Sequence, residues 1–309
     1  MNENIDMTVQ LGRLTLKNPV GVASGTFGYG EEYSALLDVD ALGALYTKAV
    51  TPEVRAGNQS PRLADTPAGM LNSIGLANPG LDSFIQHKLP LLRQRKCAVM
   101  VNVAGCCPED YIAVIERLEQ EAGIAGYEIN ISCPNVKAGG MALGTDPTVV
   151  ERLTRQLADR TNAGGRPLVV KLSPNVTDIC AIARAAEAGG AAALSCINTL
   201  VGMVIDVKQR RPVLAMGSGG LSGPAIRPVG VACVYKVSRA VSIPVIGLGG
   251  ITNTDDALQY FLAGAAAIQV GTALFTRPET PLEILTGLRA FMADNAIAKI
   301  SDLPGLLQS

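Results

Sequence analysis

Eight short β-rich runs recur along this 309-residue chain with helical patterns between them, and this alternation restricts the fold more than any other feature. The runs cover 19–24, 44–50, 97–104, 126–132, 167–173, 192–198, 243–249 and 267–273. Helical periodicity follows over 82–96, 108–121, 147–160, 178–188, 226–240 and 255–263, with Asp, Thr or Pro opening several of these segments and Gly closing them. Strands that are apolar on both faces and alternate with helices require a parallel sheet covered by helices. Eight such units close on themselves, so the chain is expected to be α/β, a single (β/α)8 TIM barrel over residues 1–309. A composition of 48% apolar and 17% charged residues with 33 glycines suits one large core rather than two small ones. Alternation around Gly12 and Arg13 predicts a short N-terminal β-hairpin over 8–17, and long polar insertions stand in the βα loops at 51–78 and 199–224.

Charge and punctuation exclude several classes. A net charge of −1 with no run of Lys or Arg does not suit a nucleic-acid or anionic-membrane surface. No stretch reaches 18 apolar residues, and MNENIDMTVQ has neither a basic nor an apolar leader segment, so the chain reads as cytoplasmic. The seven cysteines at 97, 106, 107, 133, 180, 196 and 233 form no CxxC pair, so neither a disulfide framework nor a metal site is expected. The lone histidine, His87, falls on a helical pattern beside Lys88 and reads as a solvated residue, which argues against a His-based triad.

Polar residues concentrate where barrel enzymes place their chemistry. Ser24, Lys48, Asn102, Asn130, Lys171 and Asn198 all fall at the C-terminal end of an expected strand. A strand-end lysine alone reads equally well as a paired structural residue, whereas two lysines converging with three asparagines describe a site for a flat, polar, electron-rich ligand. After the seventh and eighth strands, Gly249, Gly250, Gly271 and Thr272 are placed to offer backbone N–H groups to a phosphate, and a structural turn is the plainer alternative. The chain has neither GxGxxG nor GxxxxGK[ST], which favours a mononucleotide over a dinucleotide or nucleoside triphosphate. In EINISCPNVK (128–137), alternation ends at Pro134 and leaves Cys133 at the strand rim between Asn130 and Asn135. The residues alone leave two readings open there, a buried small hydrophobe or a reactive thiol.

The motifs ASGTFGYG (23–30), TKAVTPEVRAGN (47–58), NSIGLANPG (72–80), NVAG (102–105), EINISCPNVK and VKLSPNVTD (170–178) together resemble the class 1 dihydroorotate dehydrogenases, most closely the class 1B catalytic subunit. INTLVGM (197–203), GGLSGPAI (219–226), GLGGI and VGTAL extend the resemblance over nearly the whole chain. It implies FMN bound by Ser24, Lys48, Ala49, Asn102, Asn130, Lys171, Ile197, Gly223, Gly249, Gly250, Gly271 and Thr272, and dihydroorotate bound by Lys48, Asn72, Ser73, Ile74, Gly75, Leu76, Asn130, Asn198 and Thr199. It also implies that Cys133 is the base for ring carbon 5, with a hydride leaving ring carbon 6 for the flavin. Class 1B further implies a partner subunit carrying FAD and a 2Fe–2S cluster that passes electrons to NAD, in a heterotetramer built on a catalytic dimer. Class 2 relatives carry a membrane segment and a serine base, which are not seen in this sequence. The alternatives are a class 1A enzyme using fumarate and an FMN barrel acting on a pyrimidine without the carboxylate, as in dihydropyrimidine dehydrogenase.

Overall fold

A strand buried on both faces needs helices on one side and other strands' side chains on the other, and closure of the sheet supplies both. In the computed structural model, which describes residues 5–131, 143–161 and 164–308, eight parallel strands form a closed barrel in chain order. They are Val20–Val22, Ala44–Tyr46, Ala98–Val103, Gly126–Asn130, Leu168–Leu172, Ala193–Cys196, Val245–Leu248 and Ala267–Val270. Pairing of Ile268 with Val20 joins the eighth strand to the first.

Each strand is shorter than its β-rich run, and most of the residues that leave the ladder are at the C-terminal rim. Ser24 opens a short helix, Ser24–Phe27, and Thr272 opens the 3-10 turn Thr272–Phe275. After the second strand the Lys48 amide donates to the Gly28 carbonyl at 2.7 Å instead of to a neighbouring strand. At 249 and 250 positive φ angles of 130° and 68°, which glycine tolerates, turn the chain out of the seventh strand.

The covering helices include Pro108–Leu118, Pro147–Thr161, Ile179–Ala188, Arg227–Ser238 and Thr254–Leu262. Asp178 and Asn253 cap two of them through side-chain oxygens that accept backbone N–H groups. The segment Leu81–Leu92 is helical with a π turn at Phe84–Lys88, stopping short of residue 96, and His87 on it is exposed. Beyond the expected patterns, Thr280–Asp294 forms a helix whose Ile284, Leu288 and Met292, spaced i, i+4, i+8, are fully buried.

The N-terminal hairpin pairs Val9–Leu11 with Leu14–Leu16. Gly12 sits against Ala192 and Pro167, which precede the sixth and fifth strands, so the hairpin lies at the N-terminal end of the barrel. The two insertions meet at the other end. Leu63–Thr66 and Gly69–Asn72 from the first pair with Gly219–Ser222 and Leu200–Gly202 from the second in one four-stranded antiparallel sheet. A separate small core of Ala64, Leu71 and Leu214 fills it. No helix among the described residues is long and apolar enough to cross a membrane.

Candidate active site

Strand periodicity decides which side chains enter the barrel. In the fourth strand Tyr127 faces the helices, where its hydroxyl donates to Glu119 at 2.7 Å, so Glu128 and Asn130 point inward. Glu128 is completely buried, and its carboxylate accepts hydrogen bonds from Asn102 Nδ2 at 2.6 Å, Gln269 Nε2 at 2.8 Å and Ser195 Oγ at 2.9 Å. Lys171 Nζ lies 3.6 Å from the same carboxylate. The third, fourth, fifth, sixth and eighth strands therefore each send one polar side chain into a single interior network. Burial pushes the Glu128 carboxyl upward, but the Lys171 charge and the donors from Gln269, Ser195 and Asn102 outweigh it and hold the group below the usual carboxylate range.

Above Glu128, Ser24 Oγ accepts from Asn102 Nδ2 at 3.3 Å and from Lys171 Nζ at 3.4 Å, which ties the first, third and fifth strands together at their C-terminal ends. These groups line a cavity of about 400 Å³, within the range of small-molecule sites. Every residue expected to bind FMN borders it: Ser24, Lys48, Ala49, Asn102, Asn130, Lys171, Ile197, Gly223, Gly249, Gly250, Gly271 and Thr272. So do Asn72, Ile74, Gly75, Leu76, Asn198 and Thr199 of the expected substrate set. Ser73 does not line it. That residue is buried, its N–H donates to the Arg62 carbonyl at 2.7 Å, and its hydroxyl accepts from Asn58 Nδ2 at 2.9 Å. Cys133 and Asn135 lie outside the described residues.

Two stretches of backbone give the cavity its character. The N–H groups of Ile74, Gly75 and Leu76 donate to no described residue, and positive φ angles of 73° at Gly75 and 57° at Leu76 hold this turn. Successive unpaired N–H groups beside a lysine suit an anionic carboxylate. The N–H groups of Gly249, Gly250, Gly271 and Thr272 are likewise unpaired among the described residues. Their turns are fixed from outside: Tyr260 OH donates to the Gly249 carbonyl at 2.6 Å, and Thr272 Oγ1 donates to Ser222 Oγ at 2.8 Å. A side chain at 250 would place its Cβ 2.6 Å from the Gly223 carbonyl oxygen, so only glycine closes this turn. Such a set of N–H groups fits a phosphate.

On the same cavity, Asn198 Nδ2 donates to Asn130 Oδ1 at 3.4 Å, and Asn130's backbone carbonyl accepts from Tyr111 OH at 2.9 Å. Asn175 braces the next residues, donating to the Thr199 carbonyl at 2.9 Å and accepting from the Val201 N–H at 3.0 Å. Among the described residues, the buried side-chain atoms without a partner are Thr66 Oγ1, Asn102 Oδ1 and Gln269 Oε1. The last two belong to residues that border the cavity, as Lys171 does. Buried acceptors and a cation on one cavity complement a flavin's pyrimidine edge, which carries an imide N–H and gains negative charge on reduction. With the glycine N–H groups for its phosphate, the cavity fits FMN.

Sequence reading missed Glu128, Gln269 and Asn175. Glu128 and Gln269 carry a visible signal, a polar residue inside an otherwise apolar barrel strand. Of the other cysteines, Cys97 and Cys196 are core residues. Burial, with the nearby Asp40 charge, pushes the Cys97 thiol up to about 11, and burial raises Cys196 well above the ordinary thiol value, so neither is a thiolate near neutrality. No cluster of metal-ligating side chains exists among the described residues.

The comparison with known proteins points the same way as the geometry. The family model described as dihydroorotate dehydrogenase matches residues 6–292. Proteins named dihydroorotate dehydrogenase B (NAD(+)), catalytic subunit, are similar over nearly their whole lengths. That of Pelobacter propionicus is 50% identical over 303 residues, covering 98% of this chain and 99% of the relative. That of Trichlorobacter lovleyi is 51% identical over 302 residues, covering 98% of each. That of Geobacillus kaustophilus is 51% identical over 299 residues, covering 97% of this chain and 95% of the relative. The chain is thus matched nearly from end to end by one set of relatives, and it belongs to the dihydroorotate dehydrogenase family.

Proposed function

We propose that this chain oxidises (S)-dihydroorotate to orotate in pyrimidine biosynthesis, as a class 1B catalytic subunit. The observation that carries the substrate is the run of unpaired N–H groups at Ile74, Gly75 and Leu76 on a cavity shared with Lys48, which together hold a carboxylate. Asn130 and Asn198 pair their amides with the imide edge of the ring, and Asn72 and Thr199 complete the enclosure. Cys133, as thiolate, takes the proton from ring carbon 5, and its sulfur becomes a thiol. FMN, when bound, supplies the two-electron acceptor for the hydride leaving ring carbon 6. Gly249, Gly250, Gly271 and Thr272 would hold the cofactor through its phosphate, with Gly223, Ile197, Ser24, Ala49, Asn102 and Lys171 as its other contacts. The lysine charge favours the reduced, anionic ring.

The relatives' names, a catalytic subunit that uses NAD(+), support a separate partner to which electrons pass. We place FAD and a 2Fe–2S cluster on that partner, in a cytoplasmic heterotetramer around a catalytic dimer. The test is anaerobic. The purified chain loaded with FMN is yellow, and dihydroorotate bleaches it, whereas a dihydropyrimidine without the carboxylate does not. Bound FMN that dihydroorotate leaves oxidised overturns the reading. Co-purification of a flavin and iron–sulfur protein tests the partner separately.

A further inference from the structure

Glu128 is the centre of the barrel floor, yet it does not line the cavity, and the chemistry proposed above gives it no role. An ionised carboxylate only accepts hydrogen bonds. Both amides that reach it, Asn102 and Gln269, must therefore turn their NH2 groups toward it, which leaves Asn102 Oδ1 and Gln269 Oε1 as the two unpartnered acceptors of the floor. The same carboxylate stands 3.6 Å from Lys171 Nζ. We propose that Glu128 is the positioning residue of the cofactor site: it sets the amide orientation of Asn102 and Gln269 and balances the charge of Lys171, the ammonium that borders the cavity. Ser195, whose hydroxyl donates to Glu128 at 2.9 Å and which does not border the cavity, holds the carboxylate in turn.

The inference rests on the reading of the cavity as a flavin site. Glu128→Gln keeps the shape but brings one NH2 of its own, so one of the two amides has to reverse and present a donor where the floor now has an acceptor. It also removes the Glu128 charge beside Lys171, which favours a reduced, anionic flavin over the oxidised one.

The test compares FMN affinity, by flavin fluorescence on titration into stripped protein, and the midpoint potential of the loaded chain. Glu128→Gln is expected to weaken FMN binding at least tenfold. It is also expected to favour the reduced flavin over the oxidised by tenfold or more, which for a two-electron couple is an upward shift of about 30 mV. On a Lys171→Met background the same change is expected to shift the potential less than threefold in equivalent affinity ratio, because the charge it balances is gone. Wild-type FMN affinity and potential in Glu128→Gln overturn the proposal, as does an undiminished shift on the Lys171→Met background. Should Glu128→Gln fail to fold, Ser195→Ala decides alone. An FMN dissociation constant raised threefold or more at an unchanged thermal midpoint supports the proposal, and a wild-type constant overturns it. Failure of the unaltered chain to bind FMN sinks the flavin reading itself, a result separate from any of these.

Discussion

The floor of the cavity and the sheet that roofs it are built on opposite principles. The floor is made of single side chains from barrel strands whose register is fixed by closure, and its charged members, Glu128 and Lys171, are 0% and 5% exposed. The roof is made of backbone from two insertions: Asn72 and Gly220, bonded through Asn72 Nδ2 at 3.2 Å, stand 148 positions apart in the sequence. The floor is a sealed electrostatic unit in which each group depends on the others. The roof has a small core of its own and carries exposed Val201, Met203 and Ile205 on its outer strands and connection. The difference assigns them separate work. The floor tunes what lies on it, while the roof encloses a smaller molecule and can change without altering the floor. Substitutions in the two regions should accordingly separate by readout.

The largest expected effect is at the proposed base and serves as the reference for both regions. Cys133→Ser is expected to slow flavin reduction by dihydroorotate by roughly 10²–10⁴-fold at pH 7, the usual contribution of a positioned base. FMN content and substrate affinity should stay near their starting values in a stopped-flow and equilibrium comparison. Near-normal reduction would remove Cys133 from the chemistry.

Next comes the floor. Lys171→Met strands the Glu128 carboxylate in the interior, and breaking a buried pair from one side costs about 3–5 kcal/mol. Urea unfolding of the flavin-stripped chain, which keeps ligand binding out of the measurement, should show that loss, and Lys171→Met with Glu128→Gln should recover most of it. The acid limb of stability tests the same pair. A carboxyl held below its unfolded value contributes stability that is fully present above that value and is lost as pH falls through the folded one. Glu128 is such a group, so unfolding free energy should decline below the ordinary carboxyl range, near pH 4.5, and Glu128→Gln should flatten that decline. An equal acid slope in both proteins would show that Glu128 is not held as the anion.

The contrast also explains what could be read from the sequence. Barrel strands announce themselves by short apolar runs, and a polar residue at their ends is conspicuous, which is why Ser24, Lys48, Asn102, Asn130 and Lys171 were legible as one rim. Glu128 showed in the alternation of its strand, but its partners could not be read there, because they arrive from four other strands once the barrel has closed. The roof was legible only as two polar insertions. Pairing between Gly69–Asn72 and Gly219–Ser222 leaves no local pattern, so a sheet composed of both could not be foreseen. Strand ends were overestimated for a physical reason: at the rim the apolar and β-branched composition continues past the point where the chain leaves the ladder.

Smaller effects belong to the roof. Gly220 packs so closely on Thr199 that a Cβ there would lie 2.1 Å from its hydroxyl oxygen. Gly220→Val should displace Thr199 and raise KM for dihydroorotate roughly 10- to 100-fold, the scale of a misplacement near 1 Å. FMN affinity and midpoint potential should remain unchanged. A loss of FMN affinity would mean that roof and floor are one unit after all, and the division drawn between them would fail.

The smallest effect is expected at the tip of the second insertion. Val207 is 82% exposed in the turn that joins Ile205–Asp206 to Arg211–Pro212, where Asp206 Oδ1 accepts the Gln209 N–H at 2.9 Å and shapes the turn without it. A side chain this exposed has almost no burial to lose, so Val207→Ser should change unfolding free energy by no more than about 0.5 kcal/mol and leave KM and FMN affinity alone. Leu71, in the roof's inner core and 1% exposed, gives the opposite expectation. Leu71→Ala should cost about 2–5 kcal/mol of local packing and raise KM, because the strand it anchors carries Asn72. Equal behaviour of the two variants would mean that the roof has no core of its own and takes its shape from the barrel beneath it.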